Sequence, residues 1–245
     1  MSASENRSPE SRRDIATLAP PWHTLLLVLL IVFVALSGAL LTKRGVAIEP
    51  PASVGSSPLA VLVQKYGPLL LVQLGLVGYV GRVARTRWVV RDWLGPLNMK
   101  RAASDALFAM AGVAAIAALH ALFVGAARAR GGGGGPALTV LPTTPTEHAL
   151  WTLCVAPCVA FAEEVVYRGY MRMQLAAMTR SRVIACILQA LLFGLAHANQ
   201  GRLGMAEAAG AGIVLGVVVM LRRSLWPAIF AHVAVDVLAG LTSRG

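Results

Sequence analysis

Charge is scarce in this chain. Of its 245 residues 13% are charged and 57% hydrophobic, a balance that excludes an ordinary soluble domain and places the sequence among polytopic membrane proteins. Acidic residues are the rarer sign, 11 Asp and Glu against 22 Lys and Arg, for a net charge of +11. In a soluble protein that excess would point to nucleic acid. Here the basic residues fill short gaps between apolar runs, a pattern that reports membrane topology, so no nucleic-acid partner is expected. Cysteine is also sparse. Cys154, Cys158 and Cys186 show neither a CxxC pair nor Cys/His ligand spacing, which excludes a disulfide framework and a cysteine-based metal site. Cys154 and Cys158 share a helical face and read as small buried filler. The HExxH signature of zinc hydrolases is absent as well.

What is present is a series of apolar runs. Residues 1–20 form a polar tail with Arg7, Arg12 and Arg13, read as disordered and cytoplasmic. Residues 22–42 are an uninterrupted apolar run of the length that crosses the hydrocarbon core. The run is too long for a signal-peptide core, so it is expected to remain as an uncleaved first span. Further spans are expected over 59–81, 102–127, a fourth helix from Pro145 toward Gln174, then 183–199, 205–221 and 226–241. The fold class is therefore all-α, a polytopic transmembrane helix bundle of about seven spans.

Lys and Arg outside the spans concentrate in alternate gaps, above all in residues 82–101, which puts the N-terminus in the cytoplasm. Abundant Arg, little Lys and heavy use of Ala and Gly point to a bacterium with a GC-rich genome, and so to its inner or plasma membrane. Lys65, near the start of the second span, is expected to snorkel to the interface with no further role. His120 in the third span is expected to be a packing residue. The Gly- and Pro-rich stretch 131–145 reads as a flexible linker. It divides N-terminal transmembrane helices over 21–130 from a C-terminal bundle over 146–242. Thr144 as N-cap, Pro145 at the first helical position and Glu147 at the third give a capping box. Pro157 is expected to kink the same helix, and Ala208, Gly212 and Gly216 form a small-xxx-small face for close helix approach.

Against this apolar background the few ionisable residues within the runs define the chemistry, because charge at bilayer depth is costly and needs a partner. Glu164 and Arg168 lie at i,i+4 and meet on one helical face, as a structural pair that tunes the site. Glu163 is rotated about 100° away and free to point elsewhere. Two other helices carry Phe193 with His197 and His232 with Asp236, each again at i,i+4. If the fourth and fifth helices form an antiparallel hairpin about position 180, Glu163 and His197 are each 17 residues from its centre and lie level. The three polar sites then become one candidate cavity. Tyr167, one turn from Glu163, is placed to hydrogen-bond it, and Phe193 reads as packing.

Glutamate and histidine in a wet cavity inside a membrane suit peptide-bond hydrolysis. Glu163 takes a proton from water, His197 holds or polarises that water, and His232 stabilises the developing oxyanion. No Ser or Cys is placed to be a nucleophile. On this reading no cofactor is required and no metal is assigned. The alternative is a two-His-one-carboxylate set, His197, His232 and Glu163, holding a divalent metal such as zinc with water in the fourth position.

The motifs also carry a resemblance. Glu163-Glu-Val-Val-Tyr-Arg168 fits EExxxR, Phe193-Gly-Leu-Ala-His197 fits FxxxH, and His232-Val-Ala-Val-Asp236 fits HxxxN/D. In this order on three helices they resemble the CAAX-protease and bacteriocin-processing (CPBP) family of intramembrane endopeptidases, which includes the type II CAAX prenyl endopeptidases and is often labelled metalloprotease. The resemblance runs from about residue 146 to 241. It implies an all-helical membrane enzyme with Glu163 as water-activating base, Glu164 beside it, His197 close by, and His232 with Asp236 on the oxyanion side. Asp236 stands where the CAAX-cleaving members have Asn, and an ionised Asp has no proton to donate. The expected partners are the lipid bilayer and a peptide or membrane-associated protein as substrate. In a bacterial host that means a small peptide, a leader or a membrane-protein tail. The competing class is a non-catalytic immunity or scaffold protein of the same fold.

Overall fold

The computed structural model describes residues 17–43, 57–84, 93–95, 99–131 and 140–242. Residues 1–16 of the tail, most of the 43–58 loop, much of the basic stretch 82–101 and residues 132–139 of the linker lie outside that description. Seven helices occupy the expected runs, with no strand among the described residues: α1 Pro21–Lys43, α2 Pro58–Val83, α3 Met99–Ala129, α4 Pro145–Thr179, α5 Arg182–Ala196, α6 Gly201–Arg222 and α7 Trp226–Thr242. Five of them are long and apolar enough to cross a membrane. The other two, α5 with 15 residues and α7 with 17, extend about 22 and 26 Å, short of the hydrocarbon thickness of about 30 Å. The protein is an integral membrane helix bundle, and its two short helices are the ones that carry the histidine motifs.

Helix α4 is the axis of the bundle. It starts as the capping signal requires, with the Thr144 hydroxyl accepting from the Glu147 N–H at 3.3 Å. The Glu147 carboxylate turns back one residue further than in a standard box and accepts from the N–H and hydroxyl of Thr143 at 2.7 and 3.0 Å. The helix contains two π-helical stretches, Trp151–Val155 and Glu164–Met171. At Pro157 the irregularity takes the form of the first wide turn, in which the Ala156 N–H reaches the Trp151 carbonyl just ahead of the proline. The chain reverses at Arg180, which holds a left-handed conformation with φ 55°, and Ser181 then caps α5 by accepting from the Ile184 N–H at 3.2 Å.

The core forms where α4, α5, α6 and α7 meet, around Val165, Tyr170, Met171, Phe193, Leu215 and Ala231. The small-residue face of α6 works as expected. A Cβ added at Gly212 would lie 2.9 Å from the Ala190 Cα, and one at Gly216 only 2.6 Å from the Cys186 sulfur, so only glycine permits this separation of α5 and α6. Residues 18 and 19 dock on the same core. The buried Gln174 side chain accepts from the Leu18 N–H at 2.6 Å and donates to the Ala19 carbonyl at 2.9 Å and the Thr24 hydroxyl at 3.0 Å.

Three expectations for single residues are overturned. Lys65 does not snorkel to water: its ammonium donates to Glu147 at 2.7 Å and to the Leu141 carbonyl at 3.0 Å, with both side chains of the ion pair at least nine-tenths buried. A carboxylate on a neighbouring helix holds it more firmly than a distant interface does. His120 is no packing residue, since its side chain is 64% exposed and pairs with Glu207 of α6 at 3.0 Å. Cys158 is exposed and Cys154 half-buried, and of the three thiols only Cys186 is buried filler.

Candidate active site

The two adjacent glutamates of α4 face different surroundings. Glu164 is completely buried. Its Oε1 lies 2.8 Å from Arg168 Nη1 one turn on, and accepts from His232 Nδ1 of α7, also at 2.8 Å. The Arg168 guanidinium is likewise fully buried and lies over the Phe193 ring, 4.3 Å from its centroid, a cation–π contact that contributes where water is excluded. Arg168, Glu164 and His232 thus form a buried line whose end is the imidazole. Because the carboxylate accepts, Nδ1 of His232 carries the proton in that bond, and the ring orientation is set by it.

Glu163, one residue earlier, turns to the other side. Its Oε1 accepts from the Gln73 side-chain amide of α2 at 2.8 Å. Its Oε2 stands 3.7 Å from Nε2 of His232. Asp236, one turn beyond His232 on α7, places Oδ1 at 3.7 Å from the same nitrogen. These separations are too long for direct hydrogen bonds and fit a bridging water or substrate atom. The groups around the gap are also the accessible ones: side-chain exposure rises from none at Glu164 to 9% at His232, 13% at Glu163 and 23% at Asp236.

His197 enters through Phe193. It follows the last residue of α5, where the backbone has left the helical conformation, and its Nδ1 donates to the Phe193 carbonyl at 2.7 Å, so that bond orients the ring through Nδ1 and not Nε2. The Phe193 ring lies 4.6 Å from His197, 5.8 Å from His232 and 5.0 Å from Tyr167, centroid to centroid. Phe193 is a packing element that all three motifs share. Tyr167 makes an edge contact with Phe193 and no hydrogen bond to Glu163.

The geometry therefore brings together Glu163, Glu164, Arg168, His232 and Asp236 directly, and His197 through an aromatic wedge. Among the described residues no hydrogen bond or ion pair joins His197 to Glu163 or His232. The proposed metal set of His197, His232 and Glu163 does not fit this arrangement. Glu164 takes only Nδ1 of His232 and leaves Nε2 toward Glu163 and Asp236, but among the described residues no three His, Cys, Asp or Glu side chains are grouped to hold an ion. Two contributors escaped the sequence reading. Gln73 was one amide in an apolar span, and nothing in its local pattern names a partner 90 residues away. Trp151 donates its indole N–H to the Asp236 carbonyl at 2.8 Å and fixes the end of the His232 motif against α4.

No curated protein and no solved structure matches the chain. Residues 145–238 match the family model described as Type II CAAX prenyl endopeptidase Rce1-like, a segment that begins at the N-terminus of α4 and takes in all three polar motifs. This segment, a little over a third of the chain, is similar to the CPBP/CAAX protease family.

Proposed function

We propose that this protein hydrolyses a peptide bond of a peptide or membrane-associated protein with water activated by Glu163 and without a catalytic metal. The observation that carries the reading is the division of labour between the adjacent carboxylates. Glu164 is sealed between Arg168 and His232, while Glu163 keeps one oxygen on Gln73 and presents the other across a gap of 3.7 Å to His232. A base has to reach solvent and an orienting carboxylate does not.

In this reaction water sits in the gap and gives its proton to Glu163 Oε2 as its oxygen attacks the carbonyl carbon of the scissile bond. The carbonyl oxygen becomes the oxyanion and takes a hydrogen bond from Nε2–H of His232 in its doubly protonated form, with Nδ1–H held by Glu164. An ionised Asp236 has no proton to donate. It flanks His232 and balances the imidazolium charge, so the donor on this side is histidine. When the C–N bond breaks, Glu163 returns its proton to the leaving amine. His197, with Nε2 free, accepts a hydrogen bond from the attacking water or from the substrate backbone.

Purified protein in detergent, incubated with a quenched peptide library, tests the proposal. Wild type is expected to cleave a subset of peptides. Glu163→Ala should lose about 10²-fold or more in rate, with a smaller loss for His197→Ala. Cleavage indifferent to both changes contradicts the assignment, and a protein that folds and never cleaves supports the scaffold reading.

A further inference from the structure

The family match begins at residue 145, yet a polar group of α2 touches Glu163. Gln73 lies in the middle of an apolar helix and is 8% exposed. A buried amide without a partner is unfavourable in lipid surroundings, and this one donates from Nε2 to Glu163 Oε1 at 2.8 Å. The register that brings it there is fixed elsewhere along the same helix. Lys65, eight residues earlier, forms the buried pair with Glu147 at the start of α4, and Tyr66 packs its ring against Trp151 at 6.0 Å. From Lys65 to Gln73 on α2 and from Glu147 to Glu163 on α4 the contacts advance in the same direction, so the two helices run side by side and parallel. Positions 66 and 73 are about two turns apart and share a face. Helix α2 is therefore keyed onto α4 at these three points, one of them Glu163 itself.

We propose that Gln73 is a positioning residue of the active site, which holds one oxygen of the Glu163 carboxylate so that the other faces His232, and that the catalytic unit accordingly includes α2. The proposal rests on the endopeptidase reading above. A carboxylate on a flexible glutamate side chain has several rotamers open to it. One directed hydrogen bond to a charged acceptor selects among them, and a donor buried beside that acceptor is the stronger kind of bond. Nothing in this role requires Gln73 to touch substrate, which is why the effect belongs in kcat and not in KM.

The test uses the full chain in detergent with a peptide that wild type cleaves, and two replacements of similar size without a donor, Gln73→Leu and Gln73→Met. Both are expected to lower kcat about tenfold to a hundredfold with KM unchanged and the thermal midpoint unchanged or raised. A second arm needs no activity. In the Glu163→Ala background the amide is orphaned, so adding Gln73→Leu should raise the midpoint by more than the same change does in wild type. Equal kcat for wild type and Gln73→Leu, or a loss that Gln73→Met restores, overturns the positioning role and leaves the endopeptidase reading standing. So does a loss that comes with a raised KM and a lowered midpoint. A wild type that cleaves no peptide overturns both.

Discussion

Helices α3 and α4 are both long and apolar, and they do opposite things. The best spanning window of α3 is 6% buried and that of α4 is 50% buried. The polar contacts of α3 sit toward its ends, where Asp105 and Ser104 receive Arg222 at 2.6–2.8 Å and the exposed His120 meets Glu207. Those of α4 run through its length, from Glu147 through Glu163, Glu164 and Arg168 to Gln174, and each one is answered by another helix or by its own next turn. Length and apolar content mark a helix as a span. The place of that span in the bundle is set by the polar groups lipid cannot solvate, because each of them must find a protein partner.

That contrast orders the expected effects of substitution. Arg168→Leu removes one end of a fully buried ion pair and leaves Glu164 charged beside His232 alone, so a loss of about 3–5 kcal/mol is expected. Unfolding of the detergent-solubilised protein by heat or denaturant measures it, together with loss of any cleavage. Lys65→Met leaves the Glu147 carboxylate, among the described residues, to Thr143 and should cost about 1–3 kcal/mol in the same measurement. If it proves neutral, the parallel docking of α2 on α4 does not depend on that pair. His120→Ala, on the exposed flank of α3, should change stability by no more than about 0.5 kcal/mol. A large effect there would erase the distinction between the two helices.

Much of this was legible in the sequence. The runs gave all seven helices, because a bilayer demands continuous apolar segments and each turn is marked by basic or small residues. The i,i+4 pairs were legible for the same reason: Glu164 with Arg168, Phe193 with His197 and His232 with Asp236 are local, and local geometry follows from helical period. Their convergence was legible only as a hairpin argument about position 180. The lines of contact between helices were not legible. Lys65 resembles any interfacial lysine until Glu147 is seen beside it, and Gln73 carries no local signal at all. The two π-helical stretches of α4 were equally hidden.

The central claim is that Glu163, and not its neighbour, is the base. Glu163→Gln tests it most directly, since it keeps the side-chain shape and removes only the capacity to take a proton. Cleavage of a quenched peptide by the purified variant should fall by about 10²–10⁴-fold against wild type, with an unchanged melting midpoint. Cleavage at the wild-type rate by a normally folded Glu163→Gln protein would contradict the account.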